Sequence, residues 1–227
     1  PQDAKLFSPA QVPVLRQATR DLSWLFSHGY SIDASLKLVG DRYQLNARQR
    51  LAVARCAAGD EAVARRQANE ISNPKDQQLW IDGYNVLTTI EAALAGAVII
   101  AGRDGCYRDM ASMHGTYRKV AETLPAIELI GTSLAKLGST NARWLLDKPV
   151  SNSGRLATLL REEAETHKWR WTVELVNDPD AVMIAAPEGV VNVTADSVIL
   201  DRSLCWFNLT RQIIDHQIGD AWIIRLN

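Results

Sequence analysis

Long hydrophobic runs are missing: no stretch approaches the roughly 20 apolar residues that a bilayer-spanning helix requires, so no membrane role is expected. Cysteine is scarce. Cys56, Cys106 and Cys205 stand far apart, with neither the paired spacing of a zinc site nor the density of a disulfide scaffold, and they read as reduced thiols. Charge of one sign is not in excess either. With 25 Lys+Arg against 26 Asp+Glu, the net charge of −1 gives no whole-molecule attraction to nucleic acid, which leaves only a local basic face for such a partner. Repeats and low-complexity segments are absent, and the opening PQDAKLFSPAQ lacks the basic-then-apolar order of a secretory signal, so the expected compartment is the cytoplasm. What is present is 47% hydrophobic content in 227 residues, enough for a proper core in one large domain or two small ones.

Residues 1–70 read as a small all-α domain. Ser8 and Pro9 resemble an N-cap and first helical residue, followed by Val12, Leu15, Ala18, Leu22 and Leu25 at helical spacing up to Gly29. A second helix fits SIDASLKLVG, ending at Gly40. A third fits NARQRLAVARCAAG, with Asn46 as N-cap and Gln49 three residues on. A short fourth runs from Asp60 to about Gln67. The polar segment NEISNPKDQQ then reads as a linker.

The pattern changes over 77–227. Apolar runs (QLWID, AVII, ARWLLD, WRWTVELV, GVVNVTAD, AWIIRL) alternate with helical segments, as parallel crossover units do in an open, mostly parallel α/β sheet flanked by helices. YRKVAETLPAIELIGTSLAKLG reads as a long helix that Pro125 should kink or break. In sheets of this kind, ligands bind at the carboxyl ends of the strands. Three predicted strands stop on an acid there: Asp82 after LWI, Asp147 after RWLL and Asp196 after VNVTA, with Asp180 of NDPDAVM as a fourth. Each alone is an ordinary turn or capping residue. Together, carboxylates on neighbouring strands would need a cation, and a hard divalent ion such as Mg²⁺ or Mn²⁺ suits all-oxygen ligands and a phosphate-bearing substrate. Metal-assisted phosphodiester hydrolysis is the chemistry implied.

IDGYNVL, WLLDKP and TADSVILDR, in this order over an α/β pattern, resemble the PIN-like nucleases, especially the NYN-type branch. The resemblance implies that Asp82, Asp147, Asp196 and Asp180 bind one or two divalent ions, that the substrate is RNA, and that Asn85 orients the Asp82 loop or a phosphate. GDRYQLNARQR, DGYNVL, RDMASMHGTYR and LLDKPVSNSG together resemble an uncharacterised prokaryotic family that joins a helical domain of unknown function to a PIN-like domain.

Other residues extend the expected site. His114 suggests proton transfer or phosphate contact, and Arg108 and Arg118 flank it as a phosphate clamp, or else pair with Asp109 and Glu122. Ser151, Asn152 and Ser153 in VSNSG form an anion site or a plain helix-capping loop. The segment from Asp104 to Arg118 reads as an insertion in the nuclease pattern. Arg42, Arg48, Arg50 and Arg55 near Tyr43 suggest either a nucleic-acid contact or a solvated helix face. The expectation is a metal-dependent ribonuclease; its rivals are a non-catalytic RNA-binding module and a metal-dependent nucleotide phosphatase. Self-association or a protein partner would engage the helical domain.

Overall fold

The computed structural model describes residues 2–111, 117–139 and 141–226. Residues 2–69 form a helical region: α1 (Gln2–Leu6), α2 (Val12–Ser27), α3 (Ile32–Arg42), α4 (Ala47–Cys56) and α5 (Asp60–Asn69). Asn46 and Gln49 form the reciprocal capping box that their spacing predicts. Ser8 and Pro9 instead occupy a turn, and Pro13 stands in the first turn of α2, where a missing N–H is harmless. Gly40 does not end α3; it lies inside the helix, where a Cβ would collide with the Arg50 guanidinium.

The remainder is α/β. It runs β1 (Gln78–Asp82), α6 (Gly83–Leu94), β2 (Ile99–Ala101), β3 (Tyr107–Asp109), α7 (Thr123–Lys136), β4 (Asn141–Asp147), α8 (Ser153–His167), β5 (Arg170–Val176), α9 (Pro179–Ile184), β6 (Val190–Val193), α10 (Ser197–Leu200), α11 (Leu209–Gln217) and β7 (Ile223–Arg225). Pro125 neither kinks nor breaks α7: it sits in the first turn and helps to start it.

Strands β5-β4-β1-β6 form an all-parallel sheet in that order. Side chains alternate across it as the pleat demands. Leu79 and Ile81 of β1 and Ala142, Trp144 and Leu146 of β4 enter the main core with α6, α7 and α8, while Trp80 and Leu145 face Met183 of α9 and Ile199 of α10. The chain builds from β1 outward through β4 to β5, then returns to add β6 on the other side of β1. That reversal opens a crevice at the carboxyl ends of β1 and β6, where open α/β sheets bind ligands.

The runs AVII and AWIIRL do not join the parallel sheet. They supply β2 and β7 of a second sheet, ordered β3-β2-β7, and the residues expected as an insertion include its antiparallel strand β3. Ile99, Ala101 and Tyr107 turn to the main core, whereas Val98, Ile100, Met110, Ile224 and Leu226 share a core with Leu15, Leu22, Val53 and Cys56 of the N-terminal helices. The helical region therefore completes its core against the second sheet. The segment expected as a linker is also engaged: Ile71 N–H donates to the Trp206 carbonyl, and the Trp206 indole donates to the Arg66 carbonyl. All three cysteines are free thiols.

Candidate functional site

Asp82 ends β1 because the next residue must be small. Gly83 starts α6 directly against β4, where a Cβ would lie 2.4 Å from Leu146 Cδ2 and 2.9 Å from the Leu145 carbonyl oxygen. The tight strand-to-helix junction sets the Asp82 carboxyl at the sheet edge. By the alternation of β1 and β4, Asp82 and Asp147 lie on the α9 and α10 side of the sheet. Asp180 stands in the first turn of α9, and Asp196 caps α10 by accepting from Val198 N–H at 2.7 Å. The four aspartates expected from the sequence thus converge on one edge.

Burial and neighbouring carboxylates act on Asp82, Asp147 and Asp180. Asp82 is 8% exposed, and burial, reinforced by Asp196 and Asp180 and opposed by a hydrogen bond from Thr194, pushes its carboxyl up to about 7. Burial, then Asp178, raises Asp147; burial, then Asp196, Asp178 and Asp147, raises Asp180. Among the described residues, no arginine or lysine is ion-paired with Asp82, Asp147, Asp180 or Asp196. The set is staggered, however. Asp82 pairs with Leu145 in register, which places Asp147 two residues, roughly 7 Å, farther along its strand. No three of these carboxylates gather within 4.8 Å; among the described residues that compactness belongs to Glu128, Glu163 and His167, at the opposite end of α8.

The loop carrying Asp196 is fixed on several sides. Thr194 Oγ1 donates to Asp82 Oδ2 at 2.7 Å and accepts from Asp196 N–H at 2.9 Å; Asn85 Oδ1 accepts from Ala195 N–H at 2.8 Å; Arg108 Nε donates to the Ala195 carbonyl at 2.8 Å. Asn85, expected to orient the Asp82 loop or a phosphate, therefore holds the opposing loop. Arg108, expected to help clamp a phosphate, is buried and engaged by Asp104, whose carboxylate also accepts from Arg66. An arginine committed to a buried carboxylate positions the loop and has little left for a substrate. Asp109 accepts from Thr88 and Thr89 of α6 and from Ala111 N–H, so it too is structural.

Two further expectations change. The VSNSG loop closes on itself and on the chain before α7: Ser153 N–H donates to the Val150 carbonyl, the Ser151 carbonyl accepts from Tyr117 N–H, and Asn152 Nδ2 donates to the Tyr117 carbonyl. These bonds use Asn152 and the Ser153 N–H internally instead of presenting them to an anion. The basic stretch in the helical region is neutralised, because Arg48 pairs with Asp3, Arg50 with Asp41 and Arg55 with Asp109, while Arg42 lies 3.8 Å from Asp21. Asp201 pairs with Arg65 and Arg66. Arg118 is exposed, and His114 lies outside the described residues.

Tyr84 stands within IDGYNVL, yet an aromatic residue at the start of a helix reads as core and not as part of a site. It is 4% exposed, its hydroxyl faces Ser153 without a hydrogen bond of normal geometry, and burial and then Asp147 push its phenol up to about 12. With Asn85, Arg55, Asp109 and Asp196 it lines a cleft of about 270 Å³. Asp178 is a second residue that sequence reasoning misses, although the spacing Asp-Pro-Asp at a helix start carries a signal: it caps α9 and adds charge to Asp147 and Asp180.

Among the described residues, no helix is long and apolar enough to cross a membrane. Residues 14–68 match the family described as a protein of unknown function (DUF434). An uncharacterized protein of Methanocaldococcus jannaschii is 30% identical over 188 residues, spanning 82% of this chain and 88% of that protein. No solved structure matches the chain. Residues 71–212, which contain the parallel sheet and all four converging aspartates, match the family described as a domain of unknown function (DUF5616), and the chain belongs to that family.

Proposed function

We propose that this protein hydrolyses phosphodiester bonds in RNA with the help of a divalent cation. The observation that supports this most is Asp82, a buried carboxyl at the crevice between β1 and β6, facing two more carboxylates and, among the described residues, ion-paired with no cationic side chain. Such a donor set, all oxygen and rich in charge, fits Mg²⁺ or Mn²⁺ held by Asp82, Asp147, Asp180 and Asp196. A bound ion of this kind would supply a water more acidic than bulk water and would neutralise charge on the phosphoryl oxygens.

The chain's own groups do the positioning. Thr194 and the Asn85 backbone N–H hold the Asp82 carboxylate; Asp196 commits one oxygen to capping α10. Asn85 and Arg108 hold the Thr194–Asp196 loop at a constant distance from β1. The Tyr84 hydroxyl is buried beside Asp147 and shapes the wall of the site. The likeness of IDGYNVL, WLLDKP and TADSVILDR to PIN-like nucleases supports RNA as substrate and cleavage as the reaction.

One observation favours a second reading. The stagger of Asp147 and the absence of three carboxylates within 4.8 Å suit a non-catalytic RNA-binding module in which the acids serve as caps and turns. The test is cleavage of mixed single-stranded and structured RNA by the wild type and Asp82→Asn, with Mg²⁺, Mn²⁺ or chelator. Metal-dependent cleavage that is lost in the variant is the expected result. RNA bound but uncut under every metal would establish the second reading in its place.

A further inference from the structure

Beside the acidic edge, a groove of about 490 Å³ runs between the segment Tyr117–Lys119 and the first turns of α8. Its polar wall carries Arg118, Lys119 and Arg155, all exposed, against a single acid, Glu162. Among the described residues, none of the three cations enters an ion pair, unlike the arginines of the helical region, which are largely paired. In a chain of net charge −1, a groove with three free cations and one acid is a local departure that calls for an anionic occupant.

The groove is also anchored. Tyr117 is buried, its hydroxyl donates to Glu91 Oε1 at 2.5 Å, its backbone bonds Ser151 and Asn152, and its ring lies 5.4 Å from that of Tyr84. Arg118 and Lys119 follow this fixed point directly. Arg155 projects from the first turn of α8, a 15-residue helix that begins just after Asp147 at the carboxyl edge of the sheet, so the helix dipole adds to the positive field. Leu156 and Leu159 give the groove an apolar floor. The three cations thus share one groove next to the loop that follows Asp147, with the Tyr84 and Tyr117 rings packed together beside it.

We propose that this groove holds the sugar-phosphate backbone of one RNA strand entering or leaving the acidic edge. The inference rests on the proposed reading of that edge. Arg118, Lys119 and Arg155 would contact successive phosphates, with sugars or bases against Leu156 and Leu159. A single strand suits a groove that combines cations with an apolar floor, and phosphate contacts of this kind bind without reading sequence.

The test measures binding of a fluorescently labelled single-stranded RNA of ten nucleotides by anisotropy, in chelator so that no cleavage intervenes, across a series of salt concentrations. Wild type, Arg155→Ala and the double variant Arg118→Ala with Lys119→Ala are compared; all three sites are exposed, and thermal melts confirm that each variant folds. Removing one side chain that neutralises a phosphate should reduce the slope of log affinity against log salt by about 0.7. The expected result is a loss of about fivefold or more for Arg155→Ala and a larger loss for the double variant, each with a shallower slope. Unchanged affinity and slope in both variants overturn the groove, and so does a wild type that binds no RNA. Cleavage by the wild type under Mg²⁺ or Mn²⁺ is scored separately. Groove-dependent binding without cleavage sustains the groove and removes the nuclease reading, whereas cleavage with groove-independent binding does the reverse.

Discussion

Asp82 carries a thermodynamic signature of its own. Its carboxyl titrates near 7 in the folded chain and near the ordinary aspartate value when unfolded, so the folded state holds the extra proton between those limits. Its contribution to stability is present in full below the unfolded value and is lost as pH rises through 7. That loss is on the order of 4 kcal/mol. In chelator, Asp82→Asn should therefore melt above the wild type at pH 8 and gain less at pH 5, because the amide can still accept from Thr194 and carries no charge to bury. Mg²⁺ or Mn²⁺ should raise the wild-type melting temperature more at pH 8 than at pH 5, since cation and proton compete for the same oxygen, and should leave the variant unmoved. Equal gaps between variant and wild type at both pH values would remove the titration of Asp82 from the account.

At the scale of elements, the second sheet and the loop it supports explain why the arginine of RDMAS does not take the substrate role expected of it. Asp104 accepts from Arg108 at 2.6 and 3.0 Å and from Arg66 at 2.6 Å, with the Asp104 side chain almost fully buried. Removing the shared carboxylate leaves two buried guanidinium groups without it, so Asp104→Asn should cost about 3–5 kcal/mol in urea unfolding. It should also weaken the metal response, because Arg108 then loses its hold on Ala195 beside Asp196. A cost below about 1 kcal/mol, within the range of exposed pairs, would show that the trio is solvated in solution.

The same elements show what can be read from sequence. The four aspartates are legible because each ends or follows an apolar run, and the Asn46 capping box because its partners are three residues apart. β3 is not, since three residues in a turn-rich stretch carry no periodicity. The fate of Arg108 depends on Ala195, 87 residues away, and the orphaned Tyr84 hydroxyl on how α6 and the β4–α8 loop pack; neither leaves a local signal.

For the whole molecule, the apparent boundary near residue 70 is a boundary of sequence pattern more than of packing. Before it the periodicity is helical and after it strands alternate with helices, but Ile100 of β2 and Ile224 of β7 lie in one core with Leu15, Leu22 and Val53. Arg66 and Trp206 add buried polar links between the halves. A fragment starting at residue 71 would expose the outer face of β3-β2-β7, whose Val98, Ile100 and Leu226 are at most 1% exposed in the full chain. It should consequently bind a hydrophobic dye and unfold without a sharp transition. In the full chain, six of the seven tryptophans follow residue 79, so fluorescence reports the α/β half, while far-UV circular dichroism also reports the helical half. Coincident transitions by the two probes are expected, because the helices and the second sheet share one core and the second sheet also packs on the main core. Loss of helical signal before fluorescence, or a fragment from residue 71 that unfolds as sharply as the full chain, would instead establish two independent folding units and confine the role of the helices to something other than support of the second sheet.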